Sequence, residues 1–206
     1  MTITLTSQHR IVTLLTRSVQ RLRNLPSCTQ ILKWRSPMKY ASIALATLAV
    51  FSTAAHAAPA LMSAEWTTQA CEAWNKDATL TTGLGDKWIK NDGGRGFKII
   101  HMYRTDCGEA TQTEMKIVPK DGKAICSYGG ALQTSKMEYA FDYTMHATTE
   151  KWTEMGAGEY GPMKAMMFGR LKFMGPKVEA MTVMGPFETF LKLPGKVAFD
   201  KACPAK

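Results

Sequence analysis

From Gly161 to Leu191 the chain reads GPMKAMMFGRLKFMGPKVEAMTVMGPFETFL, and six methionines and four phenylalanines fall in these 31 residues. Three kinds of chemistry suit such a stretch. Thioethers ligate soft ions such as Cu(I). They also fit apolar ligands of several shapes, and they fill ordinary cores. Met163, Met166 and Met167 fall in one short predicted helix, and Met181 and Met184 lie three residues apart on the next, hence on one face. The methionines are interleaved with Phe, Val and Leu, and no histidine stands among them. That pattern favours an apolar wall over a metal site. Phe168, Phe173, Val178, Phe187, Phe190 and Leu191 would extend the wall around a mostly apolar cavity.

Other reactive residues point to structure rather than catalysis. Cys71, Cys107, Cys126 and Cys203 show no C-x-x-C and no Cys–His zinc spacing. An even count in an exported chain predicts two disulfides, for which three connectivities exist. Cys107–Cys126 and Cys71–Cys203 are the pairs expected. His101 and His146 fall in predicted strands, while Glu150, Glu154 and Glu159 read as the solvated side of a short helix. There is no G-x-S-x-G, Walker loop or H-E-x-x-H. Gly93, Gly94 and Gly96 follow no strand, so they make no dinucleotide fingerprint. The expectation is a non-enzyme with no catalytic residue, no cofactor and no bound metal.

The N-terminus predicts where this chemistry is housed. Residues 38–57, MKYASIALATLAVFSTAAHA, follow the plan of an export signal cleaved after Ala57, which places the protein in the periplasm or outside the cell. Residues 1–37 read as a leader or as an extension upstream of the true start at Met38. Charge supports setting both segments aside. Of 26 basic and 17 acidic residues, seven basic and no acidic ones lie in 1–57, so the formal charge of +9 falls to +2 for 58–206. A domain with so little excess charge lacks the basic footprint of a nucleic-acid binder. A monomer is expected.

Residues 58–206 read as one domain. Ser63 should cap a helix from Ala64 on which Trp66, Ala70 and Trp74 recur at helical spacing. FKIIHMYRTDC reads as a strand. TEMKIVPK and KAICSY form a hairpin around Asp121-Gly122, a two-residue type I′ turn. That turn pairs Ile117 with Cys126 and Met115 with Tyr128, placing Met115, Ile117, Ala124, Cys126 and Tyr128 on one face. EYAFDYTMHA should be a fourth strand and RLKFMG a fifth. Between them lie a helix ended by Gly156 and another running from Pro162 to Gly169. A last helix begins at Pro176 and breaks at Gly185-Pro186. Strands grouped before helices predict an α+β fold, a mainly antiparallel five-stranded sheet covered on one face by helices.

The segment AMMFGRLKFMGPKVEAM resembles the sterol carrier protein type 2 (sterol-binding) domain family, through Ala165, Met166, Gly169, Arg170, Leu171, Lys172, Gly175 and Ala180. Strand order and spacing from Phe97 to Leu193 are also similar. The resemblance implies a hydrophobic tunnel between sheet and helices, a sterol-like or fatty-acyl ligand, and no catalysis. Transient membrane contact would accompany loading. Arg170, Lys172 and Lys177 are then either the charged side of an edge strand or contacts for anionic head groups. Two other functions suit the same residues: periplasmic copper binding by the Met-rich helices, and docking of a protein partner.

Overall fold

The computed structural model describes residues 57–205. The readings made for 1–37, for the export signal as far as His56 and for Cys28 lie outside the described residues. Ser63 accepts the Trp66 amide at 3.1 Å and starts α1 (Ala64–Lys76) as expected. Trp66, Ala70, Cys71 and Trp74 form its buried stripe. Asp77 ends α1 and caps the single turn α2 (Ala78–Thr81), accepting the amides of Thr79 and Leu80. A second single turn, α3 (Lys87–Lys90), buries Trp88 and Ile89.

Five strands follow: β1 (Lys98–Arg104), β2 (Thr113–Lys120), β3 (Lys123–Ala131), β4 (Tyr143–Ala147) and β5 (Lys172–Met174). Their order in the sheet is β3-β2-β1-β4-β5, antiparallel except for the parallel β1–β4 pair. Asp121 (φ 51°) and Gly122 (φ 71°) make the I′ turn, and Ile117 pairs with Cys126 as expected. A bulge between Lys116 and Ile117 then shifts the register, so Met115 faces Gly129 and Tyr128 faces Lys116. Tyr128 is therefore turned away from Met115 and Ile117, contrary to the expected shared face. The fourth strand starts later than its alternation suggests, because Glu138–Asp142 form a turn with the Phe141 and Asp142 amides bonded to the Glu138 carbonyl.

Helices cover the inner face, which carries Ile100, Met102, Met115, Ile117, Tyr143 and Met145 in the main apolar core. All seven β1 residues are nevertheless buried, and the segment 132–142 explains why. It is fastened behind the sheet at both ends by buried carboxylates. Glu114 accepts from the amides of Gln133 and Thr134 and lies 3.1 Å from His101 Nε2. Asp142, with no exposed surface, accepts two hydrogen bonds from Arg95 (2.8 and 2.7 Å) and the amides of Ile99 and Glu138. Burial pushes the Asp142 carboxyl up, but these donors and the Arg95 charge outweigh it and leave it below its ordinary value. Its contribution is thus complete above the unfolded carboxylate range and disappears as pH falls through the lowered native value. Replacing Asp142 with Asn, which removes the carboxylate paired with Arg95, should lower stability at neutral pH by about 2–3 kcal/mol. The loss should shrink in strong acid, as urea melts across pH would show.

The remaining helices are α4 (Thr149–Ala157), α5 (Pro162–Met167), α6 (Lys177–Thr182), α7 (Met184–Leu191) and α8 (Leu193–Lys196). Thr148 caps α4, but the helix passes Gly156 and ends at Gly158, which is left-handed (φ 76°). Gly156 serves packing instead: a β-carbon there would lie 2.8 Å from the Gly195 nitrogen. The predicted break at Gly185-Pro186 occurs earlier, at Val183. Pro186 falls in the first turn of α7, where no intrahelical N–H bond is required.

The disulfides join Cys71 to Cys126 and Cys107 to Cys203, not the expected pairs. Close approach of α1 to β3 accounts for the first. A β-carbon at Gly129 would lie 2.5 Å from the Thr67 carbonyl oxygen, so only glycine lets the helix settle there. Asn75 of the same helix bonds both backbone groups of Cys126 at 2.8 Å. Arg104 accounts for the second, donating to Cys107 Sγ and to the carbonyls of Lys201 and Ala202 beside Cys203.

Candidate functional site

An apolar cavity lies between the inner face of the sheet and α6–α7. Ile100, Tyr143, Met145 and Phe173 form its floor on β1, β4 and β5, while Ala180, Val183, Pro186, Phe187 and Phe190 form its roof. Trp74 of α1, Leu84 and Trp88 close the end. The walls are largely aromatic pairs: Trp88 stacks on Tyr143 (5.9 Å, 18°), Tyr143 meets Phe173 edge-on at 5.5 Å, and Phe173 meets Phe187 at 5.6 Å. The free volume open to the centres of water molecules is about 40 Å³. That is room for a few water molecules, so any larger occupant must widen the space by moving the roof.

The residues expected to form a single wall divide into three groups. Phe173, Phe187 and Phe190 line the cavity. Met166 and Met184 pack against the core, and Leu191 is buried within it. Met163, Met167, Phe168, Val178 and Met181 point outward, from 43% exposed at Met163 to 79% at Val178. Cavity residues not anticipated include Trp74, whose helical spacing marks it as buried without showing what it faces, Trp88 of the short turn after it, and Tyr143 and Met145 of the fourth strand. His101 and His146 lie apart from the cavity, the first beside Glu114 and the second stacked on Tyr103 at 4.5 Å. Among the described residues, no group of three or more His, Cys, Asp or Glu side chains could hold a metal.

One corner of the cavity is polar. Trp88 Nε1 donates to the Tyr143 hydroxyl at 3.0 Å, and that hydroxyl donates to Glu179 of α6. Burial, then the Glu179 carboxylate, raises the Tyr143 pKa well above its ordinary value. The phenol is therefore a fixed neutral donor.

Residues 97–188 match the SCP-2 sterol transfer family. That is the family which the segment from Ala165 to Ala180 resembles. The match runs from the residue before β1 into α7, so the SCP-2 segment supplies the floor and most of the roof. Trp74, Leu84, Trp88 and Phe190 come from outside it. No curated protein matches the chain. Among solved structures, sterol carrier protein 2 is similar at 16% identity and a TM-score of 0.44, over 67% of this chain and 99% of its own. A conserved hypothetical protein of Thermus thermophilus gives 15% and 0.41, over 71% and 95%. Sterol carrier protein 2 of Yarrowia lipolytica, in its apo form, gives 14% and 0.35, over 61% and 87%.

Proposed function

We propose that this protein binds and carries a hydrophobic lipid, fatty-acyl or sterol-like, in the cavity beneath α6 and α7, without chemistry on it, outside the cytoplasm. The observation that carries the reading is an apolar aromatic cavity with a polar corner, whose floor and most of whose roof fall within the residues that match the SCP-2 family. Apolar burial would drive binding at about 25 cal/mol per Å², less the cost of association and of moving the roof. Two disulfides are consistent with an oxidising compartment. Titration with a fluorescent fatty acid and a fluorescent sterol tests the reading. Saturable one-to-one binding of either supports it, and a protein that ignores both contradicts it.

The exposed Met163, Met167, Phe168, Val178 and Met181 favour transient membrane contact during loading. Exposed Lys164, Lys172 and Lys177 lie in the same stretch of chain. Such a surface suits an anionic bilayer, to which each cation contributes about 1 kcal/mol. Replacing the three lysines with glutamine should weaken binding to phosphatidylglycerol vesicles by at least about tenfold at low salt. High salt should weaken the unmodified protein in the same way. Vesicle co-sedimentation reads both effects.

A further inference from the structure

The polar corner holds more than the tyrosine. Lys98 of β1 has no exposed side-chain surface, and its Nζ donates to Glu179 Oε2 at 2.7 Å. It also donates to the Asn91 carbonyl at 3.0 Å and the Trp88 carbonyl at 3.2 Å, and lies 4.7 Å from the Trp88 ring centre. Burial lowers the Lys98 pKa, and Glu179 works against that shift. A second donor to Glu179 is the Tyr143 hydroxyl, and a third is Asn91 Nδ2 at 2.7 Å. Three donors thus converge on one carboxylate, and Tyr143 and Trp88 beside it also line the apolar cavity.

The donors and the acceptor are held very differently. Lys98 and Tyr143 belong to central strands of the sheet. Glu179 belongs to a six-residue helix without a side-chain cap, which buries Ala180 but leaves Val178 and Met181 79% and 54% exposed. The carboxylate is therefore the exchangeable member. We propose that Lys98, Tyr143 and Asn91 form the head-group subsite of the cavity and accept the carboxylate of a fatty-acyl ligand in exchange for that of Glu179.

This inference rests on the carriage reading and names its ligand class. Exchange of one carboxylate for another keeps Lys98 paired, whereas a hydroxyl or ester taking the same place leaves a buried ammonium without an anion. Release of Glu179 also frees α6 from the sheet, and Ala180 of that helix is part of the cavity roof. The same event that seats the head group therefore gives the acyl chain room that the closed cavity lacks.

The test compares oleic acid with methyl oleate, as the ratio of their dissociation constants, in the wild type, Glu179→Gln and Lys98→Met. The wild type should prefer the acid. Glu179→Gln removes the internal competitor and should raise the preference by about tenfold or more, the scale of a charge-assisted hydrogen bond. Lys98→Met should bind both alike, and if it does not fold, the near-isosteric Glu179→Gln decides alone. Acid and ester bound equally by the wild type and by Glu179→Gln would overturn the subsite and leave carriage standing. A wild type that binds neither compound, nor a fluorescent sterol, would overturn both.

Discussion

Replacing Cys71 and Cys126 together with alanine should lower the free energy of unfolding by about 4 kcal/mol. The disulfide joins residues 55 apart in sequence, and closing a loop of that size removes about that much entropy from the unfolded chain. It also fastens α1 to β3 where Gly129 already brings helix and strand together, so native strain should subtract little. Against a total stability of about 5–15 kcal/mol this is a large fraction. The effect should reach the cavity as well, since Trp74 on the same helix closes its end and donates to the Ala124 carbonyl at 2.8 Å. Cys107–Cys203 closes a longer loop, of separation 96, but ties down only the C-terminal segment beside Arg104. Its loss should show first as cleavage of that segment by a protease. Urea unfolding of C71A/C126A checks the first statement and limited proteolysis of C107A/C203A the second. A loss below about 1 kcal/mol for C71A/C126A would contradict the account.

Filling the cavity from its roof should abolish most lipid affinity while sparing the fold. Ala180 is 3% exposed and faces the free space. Ala180→Leu would place its added carbons where the acyl chain must pass. Excluding two ligand methylenes at about 0.8 kcal/mol each lowers affinity by more than about tenfold. The roof must also shift to accept leucine, at a stability cost of about 1–3 kcal/mol. Val178→Ala, two residues away but exposed, should leave the affinity for a dissolved fatty acid within about twofold, because its side chain buries little apolar surface in the domain. Fluorescent-acyl titration and a thermal melt on each variant separate the effects. Equal affinity for Ala180→Leu and wild type would place the ligand elsewhere.

Local signals made much of the fold legible. Ser63, Asp121-Gly122, Pro162 and Gly169 each have a backbone preference that acts within a few residues, and the elements they bound lie where expected. Non-local contacts defeated the same reasoning. The bulge at Lys116/Ile117 turns Tyr128 away, and nothing in KAICSY announces it. Cysteine pairing depended on how closely α1 lies on β3, which Gly129 permits and the spacing of cysteines does not encode. The helix passes Gly156 because Gly195 packs against it. The site was partly legible for a similar reason. Hydrophobicity identified the Met/Phe stretch, but helices as short as α5 and α6 show one face to the core and one to solvent. Which methionine falls on which face depends on where Gly169 and Val183 interrupt them. Lys98 and Glu179, 81 residues apart in sequence, meet only once the sheet has formed.

The central claim is that a lipid enters between the sheet and α6–α7. The most direct measurement is methyl NMR of the disulfide-bonded protein as oleic acid is added. The account predicts saturable, one-to-one shifts of the methyl groups of Ile100, Met145, Ala180 and Val183, which line the cavity. Shifts confined to the exposed Met163, Met167 and Met181, with the cavity methyls unmoved, would contradict it.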